Sequence, residues 1–157
     1  MMKISSKAST NLSIALSVAF FAAIIFAAII MPYFVNMLVG TPEEIARRPF
    51  FVAEGKNVIL GLAYGVLAVA AFADVLLFAL LIRVRSELVF TEKSVALIRG
   101  ISWCAVAIGV LFFALGYYFK LAIVVGVAAV FLGLCLRVVK NVIETATEIK
   151  CENDLTV

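Results

Sequence analysis

The chain of 157 residues has no histidine, and charged side chains make up only 15% of it. Without His, the commonest general base and metal ligand is missing. A soluble domain is roughly half apolar and a quarter charged. Here hydrophobic residues reach 66% and the mean hydropathy is +1.20. Such a chain lacks the polar groups to cover a globule, which excludes a soluble globular enzyme. The three cysteines, Cys104, Cys135 and Cys151, show no CxxC or other ligand spacing. Their odd count points to reduced thiols that hold no metal. There is also no Walker loop, nucleophile elbow or metal-ligand cluster, so neither catalytic residues nor a cofactor or metal is expected. The net charge of +3 is spread along the chain and makes no face for direct nucleic-acid binding.

What the sequence does have is long apolar runs. A bilayer core of about 30 Å needs roughly 20 apolar residues in a helix. Residues 12–39 form the first span, with Pro32 the natural place for a bend or an end. That run is about twice the length of a signal-peptide core, so a retained helix is expected rather than a cleaved leader. Residues 58–82 form the second span, bounded by Lys56 and by Arg83 and Arg85. Gly100 to Leu136 is too long for one crossing and divides into spans 100–119 and 121–139 at a turn near Gly116–Lys120. The fold class is therefore all-α: an integral membrane bundle of four transmembrane helices in one membrane domain. A cytoplasmic helical extension of the last span leads into the tail, 140–157.

Lys and Arg set the orientation. Lys3, Lys7, Arg83, Arg85, Lys93, Arg99, Arg137, Lys140 and Lys150 fall on one side, and Arg47, Arg48, Lys56 and Lys120 on the other. Both termini are thus expected in the cytoplasm, the chain lying in an inner membrane with the lipid bilayer as its first partner. In the outer loop, Thr41-Pro42-Glu43-Glu44 reads as a capping box for a short interfacial helix ending at Pro49. Thr91 reads as the N-cap of a third helix that begins near Glu92. Trp103 at one membrane boundary, and Tyr33, Tyr117 and Tyr118 at the other, suit aromatic belts.

Asp74 is the one ionisable side chain well inside a span, about 13 Å along the helix from Arg83. A carboxylate at that depth costs about 2.5–3.5 kcal/mol on insertion scales and marks a functional position by default. It is either a structural hydrogen-bond anchor or the centre of a small transporter or channel-like protein. Ser17, Ser102 and the Trp103 indole are its available helpers. Small residues let membrane helices approach closely. Gly109/Gly116 and Gly126/Gly133 therefore predict a tight hairpin of spans three and four. Gly61 and Gly65 form a GxxxG, for packing within the chain or for a homo-oligomer.

After Leu136 the residues Val138, Val139, Val142, Ile143, Ala146 and Ile149 make one helical stripe. It has three candidate resting places: the membrane surface, the inner ends of the other helices, or a protein partner. Arg137, Lys140, Asn141, Glu144 and Glu148 lie opposite, with Lys140 and Glu144 spaced as an i,i+4 pair.

Two cytoplasmic stretches carry a resemblance. Val89-Phe90-Thr91-Glu92-Lys93-Ser94-Val95 with Leu97-Ile98-Arg99-Gly100-Ile101, and the ending Glu148-Ile149-Lys150-Cys151-Glu152-Asn153-Asp154-Leu155-Thr156-Val157, resemble a family of small four-span bacterial membrane proteins, domain of unknown function 2975. Members are often encoded beside a small helix-turn-helix regulator. The resemblance thus implies a membrane anchor or antagonist of a cytoplasmic DNA-binding protein. Phe90, Thr91, Arg99, Glu152, Asn153, Asp154, Leu155, Thr156 and Val157 are the candidate contacts. Alternatively the tail tucks against the inner loop, pairing Glu152 and Asp154 with Arg83, Arg85 or Arg99.

Overall fold

The apolar runs become four long helices. The computed structural model describes residues 6–39, 53–86 and 91–154. Helix α1 is Ser6–Val39, α2 Ala53–Arg85, α3 Glu92–Gly116 and α4 Lys120–Asp154. All four are long and apolar enough to cross a membrane, and no strand occurs among the described residues. The protein is an all-α, multi-pass membrane protein. At 1.5 Å per residue, α1, α2 and α4 each extend about 50 Å, so they project well past a hydrocarbon core of about 30 Å. The outer-loop helix expected at residues 41–49 lies outside the described residues.

Several boundaries differ from the sequence reading. The second helix extends beyond 58–82 at both ends, because helical hydrogen bonding does not stop where hydrophobicity does. The third occupies Glu92–Gly116 rather than 100–119, and begins where the Thr91 cap indicates. Thr91 is extended (φ −140°, ψ 147°), and its Oγ1 accepts from the Ser94 amide at 3.4 Å and lies 3.0 Å from the Ser94 hydroxyl. At the other end of α3 the turn is only Tyr117-Tyr118-Phe119. The amides of Tyr118 and Phe119 both bond the Leu115 carbonyl at 2.9 Å. Span four and the first part of the tail are one continuous helix.

Pro32 does not end α1, which continues to Val39. Proline has no amide proton, so the carbonyl four residues earlier, Ala28, loses its helical donor. The Tyr64 hydroxyl of α2 supplies the missing donor at 3.0 Å. Proline inside a membrane helix is tolerated where a neighbouring helix satisfies the freed carbonyl in this way.

Contacts show that successive helices run antiparallel. Ser17 meets Asp74 while Ala28 meets Tyr64. Between α2 and α3, Gly100 approaches Leu76 and Gly65 approaches Leu111. Substantial packing runs only between consecutive helices. The core cluster of Val35, Ile59 and Leu115, with Met31, Phe112 and Tyr118 around it, ties α1, α2 and α3 together near one end.

The α3–α4 hairpin is the tightest contact, as its glycines predict. A Cβ built on Gly109 would lie 3.0 Å from the Gly126 carbonyl oxygen, and one on Gly126 would lie 3.1 Å from that of Gly109. The Ser102 hydroxyl donates to the Gly133 carbonyl at 2.7 Å across the same interface. The GxxxG of α2 does not work this way. Gly61 faces open space, and Gly65 makes only ordinary contact with Leu111.

The antiparallel order gathers Arg83, Arg85, Lys93, Arg99, Arg137 and Lys140 at one end, with Lys56 and Lys120 at the other. The Arg137 guanidinium stands 4.7 Å over the Trp103 ring, holding an aromatic belt residue at the charged end. Tyr33 and Tyr117 are exposed, and Tyr117 meets Tyr118 edge-on, with ring centroids 5.3 Å apart.

Candidate functional site

At the charged end a groove of about 480 Å³ opens between the start of α3 and the far part of α4. Glu92, Val95 and Arg99 line it from α3, and Glu144, Thr147 and Glu148 from α4. Glu144 lies beyond the end of the apolar run. Arg99 reaches it across the groove at 3.3 Å, and Lys140 pairs with it from one turn back on α4. The hydrogen bond from Lys140 is the main reason the Glu144 carboxyl lies below its ordinary range; desolvation opposes that, and the charges of Lys140 and Arg99 reinforce it. Lys140 was expected on the outward face, yet its side chain is only 14% exposed. Its stem packs along the protein while the ammonium reaches the carboxylate.

The apolar stripe of α4 divides. Ile143 and Ala146 are half-buried, whereas Val138, Val142 and Ile149 are exposed. On the other flank of α3, a cleft of about 360 Å³ is lined by Ala79, Arg83, Lys93, Ala96 and Leu97. Ala96 borders both openings. The first turns of α3 therefore separate a groove bearing three acids from a cleft bearing two cations.

The structure brings part of the expected contact set together. Arg99 is in the groove, while Thr91 is committed to capping α3 through Ser94. Glu152 is exposed on α4, about 12 Å along the helix beyond Glu144. Asn153 and Asp154 form the last residues of α4, their side chains outside the described ones. Phe90, Leu155, Thr156 and Val157 also lie outside the described residues. The acid that Arg99 meets is Glu144.

Asp74 occupies a separate place, between α1 and α2. It is 5% exposed and its neighbour Ser17 4%. The Ser17 hydroxyl donates to Asp74 Oδ1 at 2.9 Å. Of the three helpers considered, only Ser17 serves it; Ser102 bonds Gly133 and Trp103 lies beneath Arg137. Beside the pair is a crevice of about 230 Å³ walled by Val18, Phe21, Val75 and Phe78. Among the described residues, no three His, Cys, Asp or Glu side chains are grouped to hold a metal ion.

The sequence reading missed Glu144 as the partner of Arg99 and Tyr64 as the partner of Ala28. The i,i+4 spacing of Lys140 and Glu144 was a signal for the first, and a proline inside an apolar span for the second.

The family model described as "Protein of unknown function (DUF2975)" matches residues 15–157. No curated protein and no solved structure matches the chain.

Proposed function

We propose that this chain, which belongs to the DUF2975 family of proteins of unknown function, is a non-enzymatic membrane anchor or antagonist of a small cytoplasmic helix-turn-helix regulator. The observation that carries the reading is the groove at the charged end, where α3 and the α4 extension meet through Arg99 and Glu144. Its α3 wall lies in one of the two stretches that resemble the family most specifically, and Glu148 begins the other. The excess of Lys and Arg at this end supports a cytoplasmic facing for it and for both termini, in a bacterial inner membrane. Glu92 and Glu148 present carboxylates to a partner, Glu144 being paired with Arg99 and Lys140. A DNA-binding surface is basic because it neutralises phosphates, so it is complementary to that lining. The exposed valines of α4 add apolar contact area.

The mechanism is sequestration. A regulator held at the membrane by its basic face does not occupy its operator, and each 1.4 kcal/mol of preference shifts the ratio about tenfold. The test is a pull-down of the neighbouring gene's product with the intact chain and with one ending at Lys150. Recovery by the intact chain is expected, weakened by the truncation. Equal recovery with both removes the terminal residues from the site, and no recovery with either overturns the reading.

A further inference from the structure

The Asp74 carboxylate is satisfied on one oxygen only. Oδ1 accepts from Ser17, and no other hydrogen bond to Asp74 occurs among the described residues. No buried side-chain N or O atom among the described residues lacks a partner, so the second oxygen is not sealed in; it opens onto the crevice of Val18, Phe21, Val75 and Phe78. These four walls are themselves exposed on the outside of the helix pair, so the crevice faces the lipid.

We propose that this crevice binds a lipophilic amine drawn laterally from the bilayer, its amine head on the free oxygen of Asp74. Four observations select that chemistry. The one unfilled polar atom is an acceptor, so the ligand must donate. The acceptor belongs to a carboxyl group, and charge-assisted bonds are roughly twice as strong as neutral ones. Phe21 and Phe78 wall the crevice, and an aromatic ring attracts a cation. Val18 and Val75 add aliphatic walls, which suit an alkyl tail. Depth excludes a phospholipid headgroup, because Asp74 lies about 13 Å along α2 from Arg83. The crevice takes the head and the first carbons of the tail, and the remainder lies among the lipid chains. This site is independent of the groove at the charged end.

Radiolabelled octylamine binding to the full chain in phosphatidylcholine nanodiscs, with empty nanodiscs subtracted, tests it. Saturable binding is expected, with octanol a poor competitor. Asp74→Asn should weaken it by about tenfold or more, the ratio for about 1.4 kcal/mol. Val75→Trp, at an exposed wall position, should also weaken it by filling the crevice without touching the carboxyl group. Helicity by circular dichroism reports whether each variant folds; if Asp74→Asn does not, Val75→Trp decides. Absence of saturable binding, displacement by octanol as effective as by octylamine, or unchanged binding in folded Asp74→Asn or Val75→Trp would overturn the proposal.

Discussion

The Tyr64 hydroxyl donates to the Ala28 carbonyl at 3.0 Å, the one acceptor in α1 that Pro32 deprives of its helical donor. Tyr64→Phe should therefore destabilise the protein by about 0.6 kcal/mol, and at most about 1.7, the range for hydrogen bonds between membrane helices. In a Pro32→Ala background the amide of residue 32 returns, and Tyr64→Phe should then cost almost nothing. Unfolding by steric trapping in bicelles measures the cycle. An equal cost in both backgrounds would separate the hydroxyl from the proline.

The glycines of α3 and α2 should respond oppositely to an added methyl. At Gly109 a Cβ would stand 2.5 Å from the Val130 side chain and 3.0 Å from a backbone oxygen. Gly109→Ala is expected to cost about 1–3 kcal/mol, as overpacking does. At Gly61 nothing lies within 4 Å, so Gly61→Ala should be neutral or slightly stabilising. The same unfolding assay compares them, and a large cost at Gly61 would mean that another molecule packs on that face.

Alternating helices fix which loops share a side. In a background without Cys104, Cys135 and Cys151, single cysteines at Ser86 and Glu152 should label from one side of an intact membrane. Cysteines at Asn57 and Lys120 should label from the other. Labelling of Asn57 together with Ser86 would contradict the antiparallel order.

The contact between Arg99 and Glu144 makes a charge-swap test of the regulator site. Arg99→Glu should lower recovery of the neighbouring gene's product, because two carboxylates then face each other and the groove splays. Adding Glu144→Arg should restore recovery in part. Unchanged recovery with the single variant would move the binding site away from the groove.

Much of the architecture was legible because bilayer thickness leaves few options. Runs bounded by Lys56, Arg83 and Lys120 gave four crossings, Thr91 gave the start of α3, and Gly109 and Gly126 gave the hairpin. What the sequence does not specify is how each helix is rotated about its own axis. A helix apolar all round has no preferred face, so Gly61 was as reasonable a contact as Gly109. The same ambiguity left three helpers for Asp74, of which Ser17 alone is turned toward it. The α4 stripe is used only in part within the chain for a related reason. Its apolar residues share a face in projection, but only Ile143 and Ala146 lie where α3 runs alongside.

Packing that links only consecutive helices also dictates how the molecule is built. Helices α2 and α3 each meet a partner already inserted on leaving the ribosome, while the face of α3 that carries Ser102 and Gly109 waits for α4. Contacts of short sequence separation close quickly. The tightest pair is completed last, by α4 folding back across the three-residue turn onto α3. A ribosome-stalled chain ending before Lys120 should therefore hold α1 and α2 in their final arrangement, with the groove at the charged end the last surface to exist.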